Sequence, residues 1–302
     1  MIFRKMFKRI KNDIVYVFIR FIIGFFRMLP RGAALTIGSM LGRIIPYFAG
    51  KEVRLAERHL TIAFGSEKNK REIHRLAHET FRQMAMNFVD TVRLKVMSPD
   101  DIERWSVPHN IDRLWEALKK GHGVICLSSH TGCWEFLGGY LAVIGVPVSA
   151  IVKRLYDPRL EKMLVEMRTG WGINNISRGR NTIDIIHALR KGDMLGILVD
   201  QDTKVKGVFV DFFGQPTHTA TAPALLSYKY KSPILPIFTY RDSKHFHHIC
   251  VGEPVTVEST GDRESDIMEI TTKCSKVTEN FIREHPEQWV WFHRRWKTKP
   301  EK

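Results

Sequence analysis

Between residues 123 and 257, short apolar runs alternate with stretches of helical periodicity, and this limits the fold more than any other feature. The runs are "GVICLSS" (123–129), "VPVSAIVK" (146–153), "MLGILVD" (194–200), "SPILPIFTYR" (232–241) and "HFHHICVGEPVTV" (245–257). Between and around them lie "NIDRLWEALKKGHG", a segment near 133–144, "DPRLEKMLVEMRTGWG", "NTIDIIHALRKGD" and "SDIMEITTKCSKVTENFIREHP". Four- to eight-residue apolar runs without strict alternation suit strands buried on both faces. Joined by helices, they predict an α/β fold with a mixed, largely parallel sheet covered by helices. Residues 32–65 and 69–95 read as helices before the sheet begins, with Asn69 as a cap. No repeat or linker divides residues 31–302, which read as one domain.

The first 30 residues differ in character. "MIFRKMFKRIKN" holds five basic residues and no acid, and "DIVYVFIRFIIGFFRMLP" follows. A helix over residues 14–29 would be about 24 Å long, short of the ~30 Å hydrocarbon core. Arg20 counts further against a clean span. No small-residue cleavage site marks a removable signal peptide. The segment predicts a membrane-embedded or interfacial helix, its basic flank on the cytoplasmic side. The whole chain carries 47 Lys and Arg against 32 Asp and Glu, a net +15. Such an excess calls for an anionic partner. A nucleic-acid binder of this charge is the competing class, but no zinc-finger, ribonucleoprotein or helix-turn-helix pattern is present. The four cysteines show no paired spacing, which suits a reducing compartment. Cys126, His130 and Cys133 lack a fourth ligand, so no metal is expected.

Functional groups in such sheets gather at the carboxyl ends of strands. Three of these ends are polar: "SSHTG" (128–132), "DQD" (200–202) and "TYRD" (239–242). In "SSHTGCWEF", His130 leaves a strand, Gly132 permits a sharp turn, and Glu135 opens the next helix. That spacing predicts a carboxylate on one imidazole nitrogen with the other nitrogen left open. A carboxylate so placed fixes the tautomer and stabilises the imidazolium. Taken by itself, H-x4-E leaves a structural pair and a catalytic pair both open.

The arrangement of several blocks adds a resemblance. "SSHTGCWEF" resembles the H-x4-D/E block of the glycerolipid acyltransferase superfamily, and its Trp134-Glu135 version resembles the bacterial lipid A late acyltransferases. "VRLAERHLTIAFG" (53–65) is similar to that family's Arg–Asn–Leu…Phe block, with His59 in place of asparagine. "LVDQDTKVKGVFVDFFGQPTHTATAPALL" (198–226), "SPILPIFTYR" and "WVWFHRRWKTKP" (289–300) are similar to its later blocks.

The resemblance implies transfer of a fatty acyl group from a thioester, on acyl carrier protein or coenzyme A, to a lipid hydroxyl. It implies His130 as general base and Glu135 as the group that orients it. It implies oxyanion donors among the amides near Gly132 and an arginine, either Arg168 or Arg178. Asp200 and Asp202 are implied to bind or orient substrate. Arg294 and Arg295 are implied to meet an anionic headgroup or an acidic carrier protein. No cofactor is implied beyond the acyl donor, and the implied place is the cytoplasmic face of the inner membrane. The chain has no G-x-S-x-G elbow, and a Cys133–His130 nucleophile would leave Glu135 and the other blocks unexplained, so no covalent acyl-enzyme is required. "FVDFF" (209–213) suits either an acyl pocket or the core. A lysophospholipid or another glycolipid is an alternative acceptor.

Overall fold

A computed structural model describes residues 2–179, 182–203 and 205–300. Asn181, where one predicted helix begins, lies outside the described residues, as do the side chains of the basic prefix up to Arg9. Four helices come first: α1 (Ile2–Met28), α2 (Arg31–Phe48), α3 (Gly50–Phe64) and α4 (Lys70–Arg93). The single helix predicted over 32–65 is therefore two. Ala49 leaves helical geometry (φ −107°, ψ 42°) just after Pro46, whose ring denies the last turn of α2 a backbone donor. Asn69 caps α4 as predicted. Its side chain accepts from the amides of Arg71 and Glu72, and Glu72 accepts from the Asn69 amide in return. Gly42 lets α2 cross α4 closely, because a Cβ there would lie 2.6 Å from Arg82 Cα.

The chain continues through α5 (Pro99–Arg104), β1 (Ser106–His109), α6 (Asp112–Lys119), β2 (Val124–Ser128), α7 (Trp134–Val143), β3 (Val148–Val152), α8 (Pro158–Gly170), β4 (Asn174–Ser177), α9 (Thr182–Lys191) and β5 (Met194–Leu198). A hairpin of β6 (Gly207–Phe212) and β7 (Gln215–Ala220) stands apart from the main sheet. Then come α10 (Ala222–Tyr230), β8 (Ile234–Arg241), β9 (His247–Val251) and α11 (Arg263–Glu284). The main sheet has seven strands in the order β1-β9-β8-β2-β5-β3-β4. All neighbours are parallel except β8 and β9. The predicted α/β fold with a mixed, mostly parallel sheet is present.

Helices cover both faces, and β2 shows how. Val124 and Cys126 pack with Leu137 and Leu141 of α7, while Ile125 and Leu127 pack with Leu189 of α9, Ala224 of α10 and Ile267 of α11. A strand buried on both sides has no polar alternation to display, which is why it reads as one apolar run. A third cluster joins α3 and α4 to the hairpin and the segment after α11, through Leu60, Phe64, Phe212, Phe213, Trp289, Trp291 and Trp296. Phe212 and Phe213 are thus core residues.

One expectation fails beside the sheet edge: alternation along "HFHH" (245–248) predicts histidines that face solvent, yet His247 is fully buried. Its Nε2 donates to Asp90 on α4 at 2.8 Å, and the same carboxylate accepts from Arg31 of α2 and Arg241 of β8. Burial would raise the Asp90 pKa, but Arg241, His247 and Arg31 hold it well below the carboxylate range. Burial, reinforced by Arg241, drives His247 down to about 3. Neutral histidine and ionised aspartate are thus the buried pair, with the arginines as counter-charge.

Among the described residues, no helix is long and apolar enough to cross a membrane. Ile23 and Phe26 of α1 pack against Leu35, Met86 and Val89. Outward, α1 exposes Val17, Phe18, Phe21 and Met28, and α2 exposes Met40, Ile44, Tyr47 and Phe48.

Candidate active site

The parallel pairing of β2 with β5 sets Ser128 opposite Leu198. Two residues further on, the two chains deliver His130 and Asp200 to the same place. His130 Nδ1 lies 2.9 Å from Asp200 Oδ1, and the His130 amide donates to Asp200 Oδ2 at 2.8 Å. Trp289 Nε1 donates to Oδ2 as well, at 2.7 Å. Asp200 is buried, and burial works to raise its pKa. The charge and hydrogen bonds of His130, with the indole, overcome that and hold it down at about 2. An ionised carboxylate only accepts, so in the neutral form of the ring Nδ1 carries the proton and Nε2 presents a lone pair. Nε2 has no protein partner among the described residues, and the side chain is 22% exposed. Trp134 packs edge-on against the ring, with centroids 4.8 Å apart.

The pairing of His130 with Glu135 that the spacing predicts is not formed. Both oxygens of Glu135 accept from the guanidinium of Arg168, at the end of α8: Nε to Oε2 at 2.9 Å, and Nη2 to Oε1. The side chains are nearly buried, and Arg168 Nη1 reaches on toward Asn175 Oδ1 at 3.5 Å. Of the two candidate arginines, Arg168 is the one that holds Glu135. Arg178 lies on an exposed turn after β4.

Gly132 is a structural pivot. Its φ of +52° is left-handed, and a Cβ would stand 2.4 Å from the Thr239 carbonyl oxygen of β8. Its amide donates to the Gln288 carbonyl at 3.1 Å, and its own carbonyl accepts from Asn87 Nδ2 at 2.7 Å. The expectation that this amide binds an oxyanion is corrected by that bond. Thr131 forms an antiparallel bridge with Trp289. Cys133 is buried, and burial, followed by Asp90, pushes its thiol up to about 11, so it does not supply a thiolate.

The remaining candidates separate. Asp202 accepts from the Thr298 amide at 2.7 Å and lies 3.4 Å from His218 Nδ1, a brace between loop and hairpin. Arg295 is buried, not turned to a headgroup. It donates to the His218 carbonyl and to Thr219 Oγ1 of β7, and its guanidinium covers Phe212. Burial lowers its pKa to about 10 against the opposing pull of Asp200 and Asp202. Arg294 is exposed beside a basic cavity. Sequence reasoning missed Asn87, Gln288 and Trp289 as supports of the loop at 128–132. It also missed Asp200 as the partner of His130, although both had been placed at strand ends.

The profile of the bacterial lipid A biosynthesis acyltransferases matches residues 1–298. The chain belongs to this family. Among its relatives is a lipid A biosynthesis palmitoleoyltransferase of Escherichia coli K12, 26% identical over 90% of this chain and 87% of the relative. A lipid A biosynthesis lauroyltransferase of the same organism is 23% identical over 90% and 88%. A phosphatidylinositol mannoside acyltransferase of Mycolicibacterium smegmatis is 29% identical over 42% of this chain and 43% of the relative. The chain is accordingly an O-acyltransferase.

Proposed function

We propose that the protein transfers a fatty acyl chain from an acyl thioester, carried on acyl carrier protein, to a hydroxyl of a lipid A precursor. The observation that carries this reading is the His130 ring, its Nδ1 on Asp200 and its Nε2 without a protein partner among the described residues, on a side chain that is 22% exposed. Nε2 takes the hydroxyl proton as the oxygen attacks the thioester carbonyl, and the imidazolium then protonates the departing thiolate. Asp200, in a buried site, stabilises that imidazolium and holds the tautomer. Glu135 acts at one remove, aligning Arg168 as a fixed cation near the first turn of α7, a suitable partner for developing oxyanion charge.

The exposed apolar side chains of α1 and α2 support a seat on the inner membrane, with these helices lying in the interface. The net +15 supports acidic partners: the carrier protein, the anionic acceptor and the membrane surface. The partial likeness to phosphatidylinositol mannoside acyltransferases favours a second reading, in which the acceptor is another glycolipid.

The test is transfer by detergent-purified protein, using acyl carrier protein and coenzyme A donors against a panel of lipid acceptors. Wild type is compared with His130→Ala. Transfer that survives His130→Ala at near wild-type rate removes the mechanism.

A further inference from the structure

One face of α3 and the segment after α11 enclose a cavity of about 360 Å³. Lys51, Leu55, Arg58 and Ile62 recur at i, i+4, i+7 and i+11, so they share that face of α3. The opposite face, Val53, Ala56 and Leu60, is buried. Arg294, Trp296, Lys297 and Lys299 close the other side. Five cations therefore line one cavity, and no carboxylate does. Among the described residues none of the five has an ion pair, whereas Arg82, Arg159 and Arg283 each hold a carboxylate. Gathering unpaired like charges costs free energy that a bound anion returns. The rest of the lining is Leu55, Ile62, the Trp296 ring and His59, whose Nδ1 lies 2.8 Å from the Trp291 carbonyl.

Cations over an apolar floor suit a phosphate group joined to a hydrophobic body. A concavity of this size takes a small headgroup. An acidic protein needs a broad surface, roughly 800 Å² on each partner. The cavity also adjoins the reactive loops. The Trp296 ring lies 6.3 Å from Trp289, whose indole donates to Asp200, and the Thr298 amide donates to Asp202.

We propose that this cavity binds the phosphate of an anionic lipid. That this lipid is also the acyl acceptor rests on the transfer reaction proposed above.

The test uses the full chain in mild detergent and isothermal titration with dihexanoyl phosphatidic acid and, as uncharged control, dihexanoylglycerol. The double variant Arg58→Gln/Lys297→Gln removes two exposed charges and leaves the core untouched. Phosphatidic acid should bind wild type and His130→Ala alike, inorganic phosphate should compete, and the double variant should bind about tenfold or more weakly. Equal affinity for dihexanoylglycerol, or unchanged affinity in the double variant, overturns the proposal. In transfer assays the double variant should raise KM for a phosphorylated acceptor about tenfold with kcat retained, and leave a dephosphorylated acceptor unaffected. A KM rise confined to the acyl carrier protein donor, absent with acyl-coenzyme A, assigns the cavity to the carrier protein and overturns the proposal. Charge-dependent binding without transfer to any acceptor leaves the phosphate site standing and removes the acyltransfer reading.

Discussion

His130 and Asp200 face each other because each stands two residues beyond one register pair, Ser128 with Leu198, in adjacent parallel strands. Their contact is a product of sheet order, and no local motif contains it. Asp200→Asn should therefore impair the reaction nearly as severely as His130→Ala. We expect kcat/KM to fall about 10²–10⁴-fold with an unchanged circular dichroism spectrum. An activity within a factor of a few of wild type would show that the carboxylate is only a brace.

Asp200 also predicts a pH dependence of stability. Its folded pKa, about 2, lies below the ~3.9 of an unfolded aspartate. The stabilisation is fully present above pH ~4 and is lost as pH falls through about 2, with a magnitude on the order of 2 kcal/mol. Asp90 is shifted in the same direction and adds to the acid limb. Denaturant titrations from pH 6 to pH 2 should show a shallower acid loss in Asp200→Asn than in wild type. Superimposable curves would assign the acid limb to Asp90.

The Glu135–Arg168 pair should report on stability as well as on rate. Glu135→Ala strands a nearly buried guanidinium, and a loss of about 2–4 kcal/mol is expected. Arg168→Ala should cost a similar amount. The double variant should cost less than the two losses added together. Additive losses would mean that the two side chains act independently.

Loop 128–132 should be intolerant of change at its pivot. Gly132→Ala forces a left-handed residue to carry a Cβ into the Thr239 carbonyl, and loss of soluble or active protein is expected. Asn87→Ala leaves the Gly132 carbonyl without its side-chain donor and Arg241 Nη2 without its acceptor, while Arg241 keeps Asp90, at about 1–3 kcal/mol. It should lower kcat more than it raises KM. A normal kcat in Asn87→Ala would separate this helix from the chemistry.

Membrane attachment by α1 and α2 is checked by sedimentation with anionic vesicles. Phe18→Glu with Phe48→Glu places charge on the exposed apolar surface and should move the protein from pellet to supernatant. An unchanged pellet would locate attachment elsewhere.

Much of the fold is written in local pattern. Fully buried strands such as β2 appear as unbroken apolar runs, and Asn69 with Glu72 marks where α4 starts. The strands β1 and β4 span four residues each, too short to show a period. The burial of His247 depends on Asp90 and Arg31, which come from helices far away in the chain. The same reasoning applies to the site. His130 is legible as a strand-end histidine, and Glu135 is its obvious neighbour in sequence. Strand order decides that Asp200 lies closer and that Glu135 turns to Arg168. The strand-end rule had already singled out both His130 and Asp200, so the signal was present without the pairing.

The bonds from Gln288 and Trp289 to Gly132, Thr131 and Asp200 have a consequence for biosynthesis. The histidine loop leaves the ribosome long before the residues that brace it. On the proposed mechanism, a nascent chain carries its imidazole for most of translation without its braces, and becomes competent only when the tryptophan-rich segment has emerged and docked.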